Sequence, residues 1–158
     1  MSGASTQMKD DVRAAKRVVI VGNGMVGHRL CELLTNTGGF SLVVFGEEPR
    51  PAYDRVALTS YFTKQSAAEL GLADRAWYEE RGIDLRLDQR VVSIDRERRE
   101  VLTASGVRTG YDVLVLATGS SPFVPPLPGS DKAGVFVYRT IEDLDAIRAW
   151  AKRSRRAV

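Results

Sequence analysis

Residues 17–27 read RVVIVGNGMVG, and this stretch decides the fold. After the leading arginine come four branched apolar residues, which is typical of a buried parallel strand. Three glycines at G-x-G-x-x-G spacing follow at once. Apolar residues then recur at helical spacing until the run NTGG at 36–39 ends the helix. The sequence therefore predicts a strand, a tight glycine turn and a helix.

A second apolar strand is predicted at residues 42–45, so strand, turn, helix and strand fit within about 30 residues, the size of a βαβ unit. The apolar face expected of the helix consists of Met25, Val26, Leu30, Leu33 and Leu34. These features predict an α/β, Rossmann-like half-domain built on a parallel sheet.

The rest of the chain changes pattern several times. Residues 46–61 contain two prolines and no clear period, which predicts a loop, and short helical pieces are expected up to Arg81. Short strands are predicted at 83–87, 91–95, 100–103 and 107–111, the last three forming an antiparallel meander crossover. The apolar run at 112–117 is expected to rejoin the parallel sheet. A proline-rich connector at 122–128 precedes a helix that Thr140 caps, with Asp143 at its third position.

We expect residues 1–16 to form a disordered leader and residues 17–158 to form one domain that is cut before a further domain. The net charge of +3 comes from arginines interleaved with acids, so a nucleic-acid partner is not predicted. Cys31 is the only cysteine, which excludes an internal disulfide and a cysteine-held cluster in this chain. No metal site is predicted. No apolar segment reaches the length of a membrane span, and a cytoplasmic location is expected.

The glycine turn has the form of a dinucleotide pyrophosphate site. Gly22 permits the sharp turn, Gly24 lets the main chain approach the anion, and Gly27 lets the helix pack close to the sheet. The first helical amides, those of Met25 and Val26, face the anion. A turn of purely structural glycines is the alternative.

Glu47 lies 20 residues beyond Gly27, at the end of the second strand, where an acceptor would bind the ribose hydroxyls of an adenosine. Glu48 competes for that role. The alternative interpretation is that both acids are exposed loop residues without a ligand.

The glycine fingerprint by itself serves FAD and nicotinamide nucleotides equally. A meander followed by a strand ending at Ala117, Thr118 and Gly119 favours FAD, because a plain nicotinamide domain continues with helical crossovers. These three residues are predicted to approach FAD, and a strand-ending turn is the alternative. Val92, at the start of the meander, is predicted to offer backbone groups to adenine.

Four blocks carry a family resemblance: GNGMVGHR at 22–29, PAYDR at 51–55, LATGS at 116–120 and VYRTIEDLDAI at 137–147. Together they resemble the FAD-binding half of the two-dinucleotide flavoprotein reductases. More narrowly, they look like the large-subunit family of NAD(P)H-dependent nitrite reductases.

This resemblance implies a protein in which NAD(P)H reduces FAD and electrons pass through an iron-sulfur cluster to sirohaem, where nitrite becomes ammonium. The NAD(P)H, cluster and sirohaem sites are expected in parts of the reductase outside this chain, so the remainder of the polypeptide or a small subunit is the implied partner. The chain alone is expected to be inactive and to supply no catalytic side chain.

Arg55 matches an arginine that lies near the flavin in ferredoxin-reductase-type proteins, whereas Ser60 stands where those proteins have lysine. A rubredoxin- or ferredoxin-reductase-type flavoprotein and a non-catalytic nucleotide-binding module are the alternatives.

Two further residues are predicted to be structural. His28 is the sole histidine and is expected to pack or cap locally on its helix. Cys31, on the same helix, is expected to be a small buried apolar residue because it has no partner thiol.

Overall fold

The computed structural model describes residues 15–63 and 66–156, which form three layers. A parallel sheet is the middle layer, an antiparallel sheet covers one of its faces, and helices cover the other. The strands are β1 (Lys16–Val21), β2 (Phe40–Phe45), β3 (Asp84–Arg86), β4 (Val91–Asp95), β5 (Glu100–Thr103), β6 (Arg108–Gly110) and β7 (Val113–Leu116). The strand order is β3-β2-β1-β7 in the parallel sheet and β4-β5-β6 in the antiparallel sheet. The helices are α1 (Met25–Thr37), α2 (Arg75–Glu80), α3 (Ile141–Ala151) and a 3-10 helix (Val56–Phe62).

Strand β1 lies at the centre of the parallel sheet and is buried on both faces. It pairs with β2 from Lys16↔Phe40 to Val21↔Phe45 and with β7 from Val18↔Val113 to Val21↔Leu116. Alternate residues point to opposite faces, so Val18 and Ile20 pack under the helices while Val19 and Val21 pack under the meander. This explains why the strand reads as an unbroken apolar run rather than an alternating one.

The antiparallel meander confirms the predicted crossover. Strands β4, β5 and β6 pair in antiparallel order, and Val101 of β5 is fully buried against the parallel sheet. The chain then returns through β7 beside β1, which confirms the Rossmann-like fold class with a meander crossover. The structure adds that β3 pairs in parallel with β2, a placement that the sequence did not indicate.

The predicted apolar face of α1 is only partly right. Leu30 and Leu34 pack against the core, but Met25, Val26 and Leu33 are exposed. The buried face instead consists of Gly27, His28 and Cys31, and their small or flat side chains let the helix axis lie close to the sheet. Of the five predicted residues, Met25, Val26 and Leu33 were therefore assigned to the wrong side of the helix.

The loop after β2 is shorter than predicted, because the 3-10 helix begins at Val56 instead of after Tyr61. This helix and α3 share a second small core, separate from the sheet. Its buried members are Tyr53, Leu58, Tyr61, Leu70, Ile141 and Leu144.

Helix α3 begins as predicted. The Thr140 hydroxyl accepts from the backbone N–H of Asp143, and the Asp143 carboxylate accepts from the backbone N–H of Thr140, so both ends of a capping box are present.

Strand β1 begins at Lys16, the last residue of the predicted leader. Residues 1–14 of that leader lie outside the described residues. Among the helices of residues 15–63 and 66–156, none combines the length and hydropathy that a membrane span requires.

Candidate dinucleotide site

The carboxyl ends of all four parallel strands meet at one edge of the sheet. There Gly22 N donates to Phe45 O at 2.8 Å, Ala117 N donates to Val21 O at 2.8 Å, and Gly46 N donates to Arg86 O at 2.8 Å. These bonds extend the ladder by one residue beyond each strand and fix the relative positions of the turns. In open parallel sheets this edge is where ligands bind.

Gly22 and Gly27 are required by the packing of this edge. Gly22 has φ +112°, and a Cβ on it would overlap the carbonyl group of Ala117. A Cβ on Gly27 would overlap the carbonyl oxygen of Gly22, at the point where α1 crosses the end of β1. The two glycines thus bring three segments together: the β1 end, the β7 end and the first turn of α1.

Gly24 is different, because none of the residues that the structure describes requires a glycine there. Its φ of −90° and ψ of −167° suit any residue, and a Cβ on it would meet no atom within 4 Å. Gly24 is also the N-cap of α1, and no side chain caps that end. The first intrahelical bond runs from His28 N to Gly24 O at 2.9 Å, so the N–H groups of Met25, Val26 and Gly27 precede the helical ladder. This open, uncapped end is suited to an anion.

The two acids after β2 are in different environments. Glu48 accepts from the Tyr53 hydroxyl at 2.7 Å and forms an ion pair with Arg55. The side chain of Glu47 is 66% exposed and has only a 3.5 Å contact with the exposed Arg90. Glu47 is therefore the acid that remains accessible at the sheet edge.

Arg55 is half-buried and is held by several contacts. Besides its ion pair with Glu48, its Nη1 donates to the backbone carbonyl of Arg139 at 3.0 Å, and its guanidinium lies over the Tyr53 ring. These contacts join the loop after β2 to the start of α3. Two of its terminal nitrogens are thereby engaged, which leaves a smaller part of the guanidinium for a ligand than the sequence suggested.

Val92 lies at an irregularity of the meander. The register of β4 with β5 passes from Val91↔Thr103 to Ser93↔Leu102, so Val92 is the extra residue of a bulge, and its side chain is exposed. Gln89 N donates to Gly46 O at 2.9 Å just upstream, which brings this segment beside Glu47. A bulge beside a ligand site is a common way to free backbone groups from a ladder.

The segment Ala117 to Gly119 turns sharply after β7. Gly119 has φ +69°, and a Cβ on it would lie 3.0 Å from Arg139 Nη2. Arg139 Nη1 also donates to Ser120 Oγ at 3.1 Å. Arg139 is a site residue that the sequence pattern did not single out. The contact with Ser120 joins residues 19 positions apart, so no local pattern in the sequence marks it.

A buried polar chain lies under the glycine turn. The hydroxyl of Tyr78, on α2, donates to Asn23 Oδ1 at 3.0 Å and lies 3.0 Å from His28 Nδ1. Burial lowers the pKa of His28 below its usual value of 6.5, and the nearby Glu32 opposes this shift. Burial also raises the pKa of Tyr78 to about 12. Both groups are therefore neutral near pH 7, and the His28 side chain packs in the protein against Tyr78, as expected of a structural residue.

Cys31 is fully buried, as predicted, and burial raises the pKa of its thiol to about 12. Little of the thiol is therefore present as the reactive thiolate near pH 7.

Within residues 15–63 and 66–156, no group of three or more His, Cys, Asp or Glu side chains is arranged to hold a metal ion. An open apolar cavity of about 540 Å³ lies along the connector from Pro122 to Tyr138, beyond the Gly119 turn.

Comparison with known proteins agrees with this geometry. Residues 16–158 match the family described as "Pyridine nucleotide-disulphide oxidoreductase". The nitrite reductase (NADH) large subunit of Escherichia coli K12 is 48% identical over 143 residues, which are 89% of this chain and 17% of that subunit. The nitrite reductase [NAD(P)H] large subunit of Klebsiella oxytoca is 51% identical over 144 residues, 89% of this chain and 15% of that subunit. The chain thus spans about one-sixth of these relatives.

Solved structures show the same architecture. A ferredoxin reductase from Rhodopseudomonas palustris superposes with a TM-score of 0.80 at 28% identity, covering 85% of this chain and 34% of that one. The reductase in a covalent putidaredoxin reductase–putidaredoxin complex superposes with a TM-score of 0.76 at 30% identity, covering 87% and 34%. With the family match over nearly its whole length, the chain belongs to the pyridine nucleotide-disulphide oxidoreductase family.

Proposed function

We propose that this chain is the FAD-binding portion of an NAD(P)H-dependent flavoprotein oxidoreductase. The observation that carries the dinucleotide site is Gly24, and the meander that leads back to the strand end at Ala117 to Gly119 supports FAD over a nicotinamide nucleotide. The backbone conformation and surroundings of Gly24 would accept any side chain, yet it is a glycine, and it stands beside the uncapped N-terminus of α1. Close approach of a ligand's pyrophosphate to the main chain accounts for glycine at a position where the protein itself does not need one.

Each part of the cofactor would have its own group of residues. The pyrophosphate would lie on the backbone of Gly22, Gly24, Met25, Val26 and Gly27, with its charge facing the positive end of the α1 dipole. A bulky group at Gly24 would block this approach.

The adenosine half would extend toward the β2 end and the meander. Glu47, the accessible acid, would accept from the ribose hydroxyls, since Glu48 is engaged by Tyr53 and Arg55. Val92 would present bulge backbone groups to adenine.

The other half would run along the β7 end. Ala117, Thr118 and Gly119 would let the backbone approach the cofactor, and the guanidinium of Arg139, held by Ser120, would supply a cation there. Arg55 would act mainly by fixing the loop after β2 to the carbonyl of Arg139. When bound, FAD accepts a hydride from NAD(P)H and passes electrons onward. The residues of this chain bind and orient it, without a catalytic side chain among them.

The larger context follows from the relatives. The 48–51% identity to nitrite reductase large subunits supports the proposal that this chain is the flavin part of a nitrite reductase. Such a reductase would convert nitrite to ammonium in the cytoplasm. The NAD(P)H site, an iron-sulfur cluster and sirohaem would be carried outside residues 17–158, by the remainder of the polypeptide, with a small subunit as a further partner. The single cysteine of this chain supports placing the cluster elsewhere.

The test is titration of the purified chain with FAD, followed by flavin absorbance and fluorescence, with a parallel titration of NADH. Saturable FAD binding by a folded chain, with weaker or no NADH binding, is expected. Preferential NADH binding would reassign the turn to a nicotinamide nucleotide, and a folded chain that binds neither would refute the proposal that this chain binds FAD. The nitrite assignment is tested separately with the complete reductase, by NADH-dependent loss of nitrite.

A further inference from the structure

The glycine turn is held from below by a side chain of a different element. Asn23 lies between Gly22 and Gly24, and its side chain is directed into the protein, where its Oδ1 accepts from the Tyr78 hydroxyl at 3.0 Å. A Cβ on Gly46 would lie 3.3 Å from Asn23 Cβ, so a glycine at the end of β2 leaves the room that this side chain occupies. The Asn23 side chain is thereby kept inside the protein and out of the space over the glycine turn.

Tyr78 is itself fixed in one position. It is fully buried on α2, where its ring contacts Trp77 edge-on at 4.9 Å between centroids. Its oxygen lies 3.0 Å from His28 Nδ1, on the first part of α1. The Tyr78 oxygen therefore contacts side chains on both sides, Asn23 in the turn and His28 on α1. The three side chains form one hydrogen-bonded chain that joins α1, α2 and the glycine turn.

The orientation of the Asn23 amide depends on its hydrogen bond to Tyr78. Its Nδ2 is buried and has no hydrogen-bond partner among the residues that the structure describes. The bond to Tyr78 is therefore what orients the amide, and without it both polar atoms would be buried and unpaired, which is costly. Rotation of the turn toward water would remove this cost, because water would then pair with the amide.

We propose that Tyr78, supported by His28, is a positioning residue for the dinucleotide site: it anchors Asn23 beneath the glycine turn and so keeps the backbone of Gly22 to Gly24 in its binding conformation before the cofactor arrives. This rests on the proposed FAD-binding function. Preorganisation lowers the ordering cost of binding, so its loss weakens affinity even when the protein remains folded.

The experiment compares the whole chain with Tyr78→Phe, Asn23→Ala and the double variant. Tyr78→Phe keeps the ring and removes only the hydroxyl. FAD dissociation constants are measured by flavin fluorescence, at a temperature where circular dichroism shows each variant fully folded. We expect each single variant to bind FAD about fivefold to tenfold more weakly, the effect of one lost buried hydrogen bond. The double variant is expected to be no weaker than either single one, because both remove the same interaction.

The matched control is Tyr61→Phe. It removes another tyrosine hydroxyl bond, donated to Asp145 Oδ1 at 2.7 Å, in the second core. It is expected to lower the melting temperature while leaving the FAD dissociation constant within about twofold of the unaltered chain, a range well below the loss expected for a hydrogen bond. Amide exchange of Gly24 and Met25 gives a second measurement, and only Tyr78→Phe and Asn23→Ala are expected to accelerate it.

Each outcome decides the matter. Unaltered FAD affinity in Tyr78→Phe, or an equal loss in Tyr78→Phe and Tyr61→Phe, overturns the positioning role and leaves the proposed function intact. If Tyr78→Phe fails to fold, Asn23→Ala at the turn carries the same comparison. If the unaltered, folded chain does not bind FAD, the proposed function fails and this inference fails with it.

Discussion

Replacing Gly24 by valine is the perturbation that separates ligand binding from folding most cleanly. The backbone at Gly24 is extended, with φ −90°, and its Cβ would meet no atom within 4 Å. The cost to the free protein is that of a poorer N-cap, about 1 kcal/mol or less. In the complex, however, the valine methyl groups would occupy the space through which the pyrophosphate approaches the amides of α1.

The size of the expected effect follows from the hydrogen bonds that the valine would block. Hydrogen bonds to charged groups contribute about 1.5–3 kcal/mol each, so blocking two amide bonds to the pyrophosphate costs about 3–6 kcal/mol. At about 1.4 kcal/mol per factor of ten, FAD affinity should fall at least about 100-fold. The melting temperature should change little.

The assay is a flavin titration together with thermal unfolding, and Gly110→Val is the matched control. Gly110 lies on β6, away from the glycine edge, and a Cβ there would meet only Arg99 O at 3.9 Å. This control should keep both FAD affinity and fold. If Gly24→Val binds FAD within a few-fold of the unaltered chain, the pyrophosphate does not lie on this turn, and the role proposed for Gly24 is refuted.

Three further predictions concern the same region. Glu47→Gln should weaken FAD binding about fivefold or more, because a carboxylate acceptor for the ribose hydroxyls is lost, whereas Glu48→Gln should mainly lower the melting temperature, because it breaks the contacts with Tyr53 and Arg55. Gly27→Ala should destabilise the fold itself by about 1–3 kcal/mol in urea unfolding, because its Cβ overlaps the Gly22 carbonyl. Because burial depresses the pKa of His28, the folded state binds the proton less readily than the unfolded state. The contribution of His28 to stability is therefore complete above pH 6.5 and is lost as the pH falls below that value, with a slope of at most about 1.4 kcal/mol per pH unit that His28→Gln removes.

Each of these has a contradicting result. Equal FAD affinities for Glu47→Gln and Glu48→Gln would remove the ribose role of Glu47. A Gly27→Ala protein as stable as the unaltered one would mean that α1 can move away from β1 without cost. Parallel stability curves for His28→Gln and the unaltered chain between pH 7.5 and about 5.5, above the range where most carboxylates titrate, would show that His28 titrates normally in the folded protein.

Much of the fold was accessible from sequence because it depends on local patterns. The apolar run before Gly22 predicted the central strand, and the short alternating segments after Arg90 predicted the meander within one or two residues at each end. The capping box at Thr140 and Asp143 is likewise a local arrangement. Where the prediction failed, on the apolar face of α1, periodicity favoured large side chains, whereas close packing on the sheet selected Gly27, His28 and Cys31.

The candidate site likewise has a part that the sequence predicted and a part that only the structure shows. The sequence could place Gly22, Gly24 and Gly27 in a turn, and Glu47 at a strand end. It could not separate the role of Gly24 from those of the other two glycines, because overlap with Ala117 and with the Gly22 carbonyl depends on segments that meet only in the folded sheet. It also could not choose between Glu47 and Glu48, since the choice depends on which side chain Arg55 engages.

By itself, the sequence determined that this chain builds a parallel strand-turn-helix unit with a meander and a dinucleotide-type glycine turn, because strand and helix periodicity and glycine spacing are properties of neighbouring residues. Only the tertiary structure decided that β3 joins β2, that Arg139 lies beside Gly119, and that Tyr78 and His28 hold Asn23 beneath the turn. These contacts join residues that are far apart along the chain. They arise from the way the layers pack against each other, and no short-range pattern encodes them.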